Sequence, residues 1–149
     1  MLSLRLKTAC ALIPFCEIFA DIGCDHGMAV KFVLDNKLAK KALAVDISSP
    51  SLNKARELLR DYENVECIVS DGLKNVSYVP DVVLILGMGG KNILEIVGEN
   101  KIKTLIISPQ KNCDIVKTEL INRGYKNIND LEITDKGKNY NILKYIYAN

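Results

Sequence analysis

Four acids and a set of glycines stand where short apolar runs of this sequence stop. Asp21-Ile22-Gly23-Cys24-Asp25-His26-Gly27 ends the first run, Asp46 the second, Asp71-Gly72 the third and Gly87-Met88-Gly89-Gly90 the fourth, while Ser108-Pro109-Gln110 ends the fifth. Gly23 allows a tight turn and lets backbone approach a ligand with no Cβ in the way. Asp46, 25 residues beyond Asp21, is placed to accept hydrogen bonds from two ribose hydroxyls, and Asp71 from an adenine amino group. Singly, each residue has an ordinary explanation: turn glycines, a helix-capping acid, a structural histidine, or glycines relieving helix packing. Their joint placement at strand ends is what suggests a nucleoside-cofactor pocket.

The charge pattern narrows the cofactor. A dinucleotide site wants G-x-G-x-x-G so that a pyrophosphate rests on a helix N-terminus. Here Asp25 stands two residues after Gly23, and a carboxylate there repels pyrophosphate but attracts a cation. S-adenosylmethionine carries an ammonium and a sulfonium, so the pattern favours a methyl donor over NAD.

These residues need a scaffold, and the hydropathy pattern supplies one. Residues 2–12 read as an amphipathic helix with Leu2, Leu6, Ala9 and Ile13 on one face. Strands are expected at Ile18 to Ile22, Ala42 to Val45, Val65 to Val69, Val82 to Leu86 and Thr104 to Ile107. Helices are expected from Gly27 to Asn36, from Ser48-Ser49-Pro50 to Asp61, from Gly90 to Gly98, and from Cys113 to Arg123 with Gly124 as its stop. Two alternating stretches, 125–133 and 139–147, flank Asp135-Lys136-Gly137-Lys138 and read as a hairpin adding an antiparallel strand at one edge. Short apolar strands alternating with helices imply a doubly wound α/β sheet, mostly parallel and seven-stranded, covered on both faces. Ligands of such sheets bind outside the carboxyl ends of the strands.

Composition excludes other classes. With 149 residues, 48% hydrophobic and 26% charged, the chain fits one domain over 1–149 and is too apolar to be disordered. No apolar run reaches the roughly 18 residues of a membrane span. Arg5, Lys7 and the stretch from Ala9 to Ala20 imitate a secretory signal, but Pro14 and Glu17 interrupt it. The five cysteines never fall in a C-x-x-C spacing and His26 is the only histidine, so no metal site is expected and the thiols read as reduced, in a cytoplasmic protein. Residues 1–100 carry a net −2 and residues 101–149 a net +4, a mild basic bias in the last third.

Leu2-Ser3-Leu4-Arg5-Leu6, Ala20-Asp21-Ile22-Gly23-Cys24-Asp25-His26, Ser70-Asp71-Gly72-Leu73, Gly87-Met88-Gly89-Gly90 and Gly137-Lys138-x-Tyr140 occur in this order and together resemble the TrmK family. These are the bacterial tRNA (adenine-22-N1)-methyltransferases, with a Rossmann-like class I methyltransferase fold. The resemblance spans nearly the whole chain. It implies that Asp21, Gly23, Asp25 and His26 line the methionine end of S-adenosylmethionine, with Arg5 available to its carboxylate. It also implies Asp46 at the ribose, Asp71-Gly72 at the adenine, and Gly87 to Gly90, with Met88 and Gly89 between, where the target base is held. Three departures stand out: Cys24 in place of a usual Ser, Ser108-Pro109-Gln110 in place of Gln-Pro, and a chain that ends at Asn149 where the family continues into a helical extension expected to grip tRNA. A partner replacing that extension is one expectation.

The chemistry so implied is methyl transfer to N1 of an adenine in tRNA or another structured RNA, on an unpaired or flipped-out base. The product is cationic, so a carboxylate beside it is stabilising; Asp25 is the first candidate for this catalytic role and His26 the second. Gln110, Lys111, Lys136 and Lys138 are the expected substrate contacts on the same rim. Two alternatives stay open: a small-molecule methyltransferase, and a non-catalytic module that binds S-adenosylmethionine without turnover. A dehydrogenase is a more distant one, separable by which cofactor raises the melting temperature.

Overall fold

A computed structural model describes residues 2–147; Met1, Ala148 and Asn149 of the expected 1–149 unit lie outside the described residues. Helix α1 (Leu4–Cys10) starts at Ser3, whose hydroxyl caps the Leu6 N–H, and is shorter than the hydropathy pattern implies. Five strands follow in parallel: β1 (Cys16–Ile22), β2 (Ala39–Asp46), β3 (Val65–Val69), β4 (Val82–Leu86) and β5 (Thr104–Ser108). Between them run α2 (Met28–Asp35), α3 (Ser49–Leu58), α4 (Gly90–Val97) and α5 (Cys113–Asn122). Ser48 caps α3, with Pro50 in its first turn, where a missing N–H costs nothing.

The chain closes with β6 (Tyr125–Asp135) and β7 (Lys138–Tyr147), giving the sheet order β3-β2-β1-β4-β5-β7-β6. The hairpin therefore adds two strands rather than one. β7 inserts antiparallel between β5 and β6, so β6 is the edge strand. Its two-residue turn, Lys136-Gly137, has positive φ at both positions, as a tight I′-like connection requires. Lys138 is the first residue of β7 rather than part of the turn.

Strand alternation sends side chains to two cores. Phe19, Ala42, Leu84 and Ile106 pack under α1, α2 and α3; Ala20, Leu43, Ile85 and Ile107 pack against α4 and α5. β1, β2, β4 and β5 are buried on both faces over most of their length, which explains their unbroken apolar runs. Strand order reverses between β1 and β4: α1 to α3 serve one direction of winding and α4 and α5 the other. That reversal opens a crevice between the carboxyl ends of these two strands. Among the described residues, no helix is long and apolar enough to cross a membrane.

Candidate active site

A cleft of about 470 Å³ sits at this crevice and runs toward the end of β3. Gly23, Asp46, Asp71, Gly72 and Met88 line it, as the strand-end reasoning implies. A larger groove of about 680 Å³ lies at the opposite, amino edge, around Phe15, Lys40 and Lys103. It contains none of the strand-end acids, so it is not the site this sheet topology favours.

Asp46 organises the floor. Its carboxylate is buried at 9% exposure, with Oδ2 accepting the Asp25 N–H at 3.0 Å and Oδ1 accepting the Ser48 N–H at 2.8 Å. Each oxygen has a second lone pair, so capacity for two ligand hydroxyls remains. The Asp25 bond also holds the loop after β1, where Gly23, Asp25 and Gly27 all have positive φ. For Asp25 this is a conformation that side chains disfavour. Its carboxylate is 76% exposed and pairs with His26 Nε2 at 3.5 Å. Asp25 and His26 thus stand beside the cleft rather than in its lining.

Asp21, at the end of β1, is buried, and its carboxyl is pushed up to about 7. Burial is the larger cause, followed by repulsion from Asp46 and Asp25. The thiols of Cys10 and Cys24 are also pushed up, by burial and then by Asp21, Cys10 to about 12. No basic group contributes to the Asp21 shift. These three acids form a cluster, and among the described residues no Lys or Arg pairs with any of them. A cation entering from the cleft would relieve that repulsion.

Asp71 lies at the mouth, largely exposed, with Lys74 Nζ 2.9 Å from its Oδ2. The turn beneath it is held by the buried Ser70 hydroxyl, which donates to the Gly72 carbonyl and accepts from the Asn75 N–H. Gly72 is required there: it has positive φ, and a Cβ would fall 2.9 Å from Ile96 Cγ1. Ile47, 69% exposed just after Asp46, also lines the cleft, with Leu73 and Ile96. Sequence reasoning missed these apolar walls. The available signal was an apolar residue directly following a strand-end acid, where solvent exposure is otherwise wasteful.

The remaining candidates gather on the far side of Met88. Gly87 has positive φ, and the Cβ it lacks would lie 3.7 Å from Gln110 Nε2 and 3.8 Å from Arg5 Nη1. The Arg5 guanidinium stacks over the Tyr140 ring at 4.9 Å, and its backbone N–H reaches Asp135 Oδ2 at 3.4 Å. The loops after β4 and β5 are zipped beyond the strand ends by Gly87 N–H to Ser108 O, Gln110 N–H to Met88 O and Gly90 N–H to Lys111 O. Lys111 packs its stem over Gly89. Gly90 is a packing position: a Cβ would meet Val116 Cγ2 at 2.6 Å and Asn112 O at 2.8 Å. Lys136 and Lys138 are exposed at the hairpin tip, which projects past the carboxyl end of β5, given the Ile107–Leu143 register.

Comparison with known proteins accords with this geometry. Residues 2–143 match a family model described as a methyltransferase domain. The chain is 30% identical over 151 residues to the tRNA (adenine(22)-N(1))-methyltransferase of Bacillus subtilis, covering 95% of this chain and 63% of that one. Among solved structures, TrmK of M. capricolum in complex with S-adenosyl-homocysteine has a TM-score of 0.90 at 28% identity, covering 99% of this chain and 69% of that one. The B. subtilis tRNA methyltransferase TrmK has a TM-score of 0.91 at 26% identity, covering 100% and 67%. The chain spans between about half and just under two thirds of the length of the curated relatives it matches.

Proposed function

This chain belongs to the methyltransferase-domain family, and from that premise we propose that residues 1–149 act as one S-adenosylmethionine-dependent domain that methylates N1 of an adenine in tRNA, in the cytoplasm. The observation that carries the reading is the pairing of two unlike surfaces across the β1–β4 crevice. One is an acid cluster suited to a cationic nucleoside, and the other is a rim of Lys111, Lys136 and Lys138 suited to a polyanion. The likeness to tRNA methyltransferases, one of them holding S-adenosyl-homocysteine, supports the choice of donor and acceptor.

The residues present fit the cofactor. Asp46 has spare acceptor capacity that would take the ribose hydroxyls, Ile47 and Ile96 would offer apolar walls to the adenine ring, and Asp71 would accept from its amino group. Asp21 and Asp25 would provide the charge that an ammonium or sulfonium neutralises, and Arg5 would take the carboxylate. When bound, S-adenosylmethionine supplies an electrophilic methyl group activated by its positive sulfur.

The protein's own work is placement and charge. Gly87, beside Met88 and the Lys111-covered Gly89, leaves room for a flipped-out base against backbone, which would bring the in-plane N1 lone pair to the reaction centre. The adenine becomes cationic as N1 gains a methyl group. Asp25, exposed and held by Asp46 through its N–H, would stabilise that positive charge, with His26 beside it the second candidate for the same role.

The test is methyl transfer from labelled S-adenosylmethionine to unmodified total tRNA, with product nucleosides identified by mass. The expected product is 1-methyladenosine. Label in another nucleoside overturns the N1 assignment. Absence of label despite tight cofactor binding overturns the tRNA reading and favours a small acceptor or a binding module.

A further inference from the structure

Arg5 and Gln110 are 105 positions apart in sequence, yet the spot left empty by the missing side chain of Gly87 has the Gln110 amide nitrogen at 3.7 Å and an Arg5 guanidinium nitrogen at 3.8 Å. These two side chains differ in freedom. Arg5 is committed by its stacking on Tyr140. The Gln110 side chain is exposed and makes no hydrogen bond among the described residues, while its backbone N–H is anchored to the Met88 carbonyl at 2.8 Å. Two residues earlier, the buried Ser108 hydroxyl also lacks a partner. It shares a sheet face with Ile106, which packs in the core beneath α1, the helix that carries Arg5. The carboxyl end of β5 therefore presents unspent hydrogen-bonding capacity beside an open floor.

A carboxamide has one donor and one acceptor side by side. That pair matches the Hoogsteen edge of adenine, where the 6-amino group donates and N7 accepts. Guanine presents two acceptors on the same edge and leaves the amide oxygen facing an oxygen. An amide engaged with N6 and N7 leaves N1 uncovered. The alternative, pairing through the Watson–Crick edge, would bury the atom to be methylated.

Resting on the proposed tRNA adenine-N1 reading, we infer that Gln110 selects the target base by pairing its amide with N6 and N7 of the extruded adenine over Gly87, with N1 left open. Arg5, held over Tyr140, lies at the cofactor side of the same floor. The two residues thereby mark where the methyl donor's tail and the acceptor base meet.

The experiment uses a tRNA transcript ligated to carry either adenosine or 7-deazaadenosine at the methylated position alone, the analogue lacking the N7 acceptor but keeping N1. Single-turnover transfer and equilibrium RNA binding are measured with the unaltered protein and with Gln110→Leu, alongside the rise in melting temperature on adding S-adenosylmethionine. The unaltered protein is expected to transfer to the analogue about 5- to 150-fold more slowly, the span of one bidentate base contact. Gln110→Leu is expected to lose a similar factor on adenosine and nothing further on the analogue, with its cofactor-induced melting shift retained. Equal rates on both RNAs, or losses in Gln110→Leu that multiply with those of the analogue, overturn the Hoogsteen assignment while leaving tRNA methylation intact. Absence of transfer to either RNA by the unaltered protein removes the reading beneath it, and this inference with it.

Discussion

The two halves of the carboxyl edge are built from opposite materials. On the β1–β2–β3 side, Asp21, Asp25 and Asp46 crowd together, and burial, followed by repulsion from the other two, lifts the Asp21 carboxyl. On the β5–β7–β6 side, Lys111, Lys136 and Lys138 border glycine-floored space. The first half is preorganised: the buried Asp46 carboxylate is fixed by the Asp25 and Ser48 N–H groups, and the repulsion among the acids falls when a cation arrives. The second is mostly exposed, with long flexible side chains that gain from phosphate without paying for desolvation in advance. A small cationic cofactor justifies a rigid, dry site, whereas a large polyanion is better met by a loose and wet one.

Removing one half should spare the other, and the largest effect is expected at Asp46. Asp46→Asn takes away the charge and one acceptor while keeping the fold's hydrogen bond to one backbone N–H. Affinity for S-adenosylmethionine should drop about 10- to 150-fold by calorimetry, the range of one charged hydrogen bond, with RNA binding unchanged. A matching loss of RNA affinity would erase the distinction between the halves.

Next in size is the pH response of the acid cluster. Asp21 ionises near 7 in the folded protein against about 3.9 in an unfolded chain. Between these values the folded state holds a proton that the unfolded state has lost. Stability therefore falls as pH rises from about 4 to 7 and levels off above. Cationic cofactor binding has the opposite trend and should tighten up to about tenfold between pH 6 and 8, as the carboxylate becomes charged. Asp21→Asn should flatten both curves, seen as a higher melting temperature than the unaltered protein at pH 8 and none of that advantage at pH 4. A pH-independent gain at both values would mean that packing, and not charge, distinguishes Asp21.

The smallest effect belongs to the hairpin tip. Lys136→Ala with Lys138→Ala should weaken tRNA binding at low salt and lower the slope of log affinity against log salt, by about one for each lysine that touches phosphate. Cofactor binding should not change. An unaltered salt slope would show these lysines to be ordinary solvated surface and would confine the basic half to Lys111.

Much of this was legible in the residue pattern. β4 runs Val82–Leu86 as its apolar run implies, because a strand buried on both faces has no reason to admit polar residues, and the edge strand β3 runs Val65–Val69 although Glu66 interrupts it. Helix starts at Ser48 and stops at Gly98 were equally readable, since caps are local chemistry. The amphipathic spacing overextends the opening helix because it continues past Ala11, where α-helical bonding gives way to three-residue turn bonds at Leu12 and Ile13. The hairpin itself was clear, but its insertion with β7 next to β5 was not, since nothing local tells which arm pairs with the parallel sheet. Within the site, Gly23, Asp46, Asp71 and Gly72 were identified by their strand-end positions. Ile47 and Ile96 were not, because a wall residue is defined by what lies opposite it.

The sequence by itself determined the elements, their α/β alternation and the carboxyl-edge location of the acids and glycines, all consequences of periodicity and capping over a few residues. Only the tertiary structure decided which of these residues meet. It buried Asp21 beside two other carboxylates and so lifted it toward neutrality, made Gly90 a packing residue rather than open space, and brought Arg5 and Gln110 to the same point above Gly87. Such appositions depend on strand order and register across the whole sheet, and a local pattern carries no record of residues 105 positions apart.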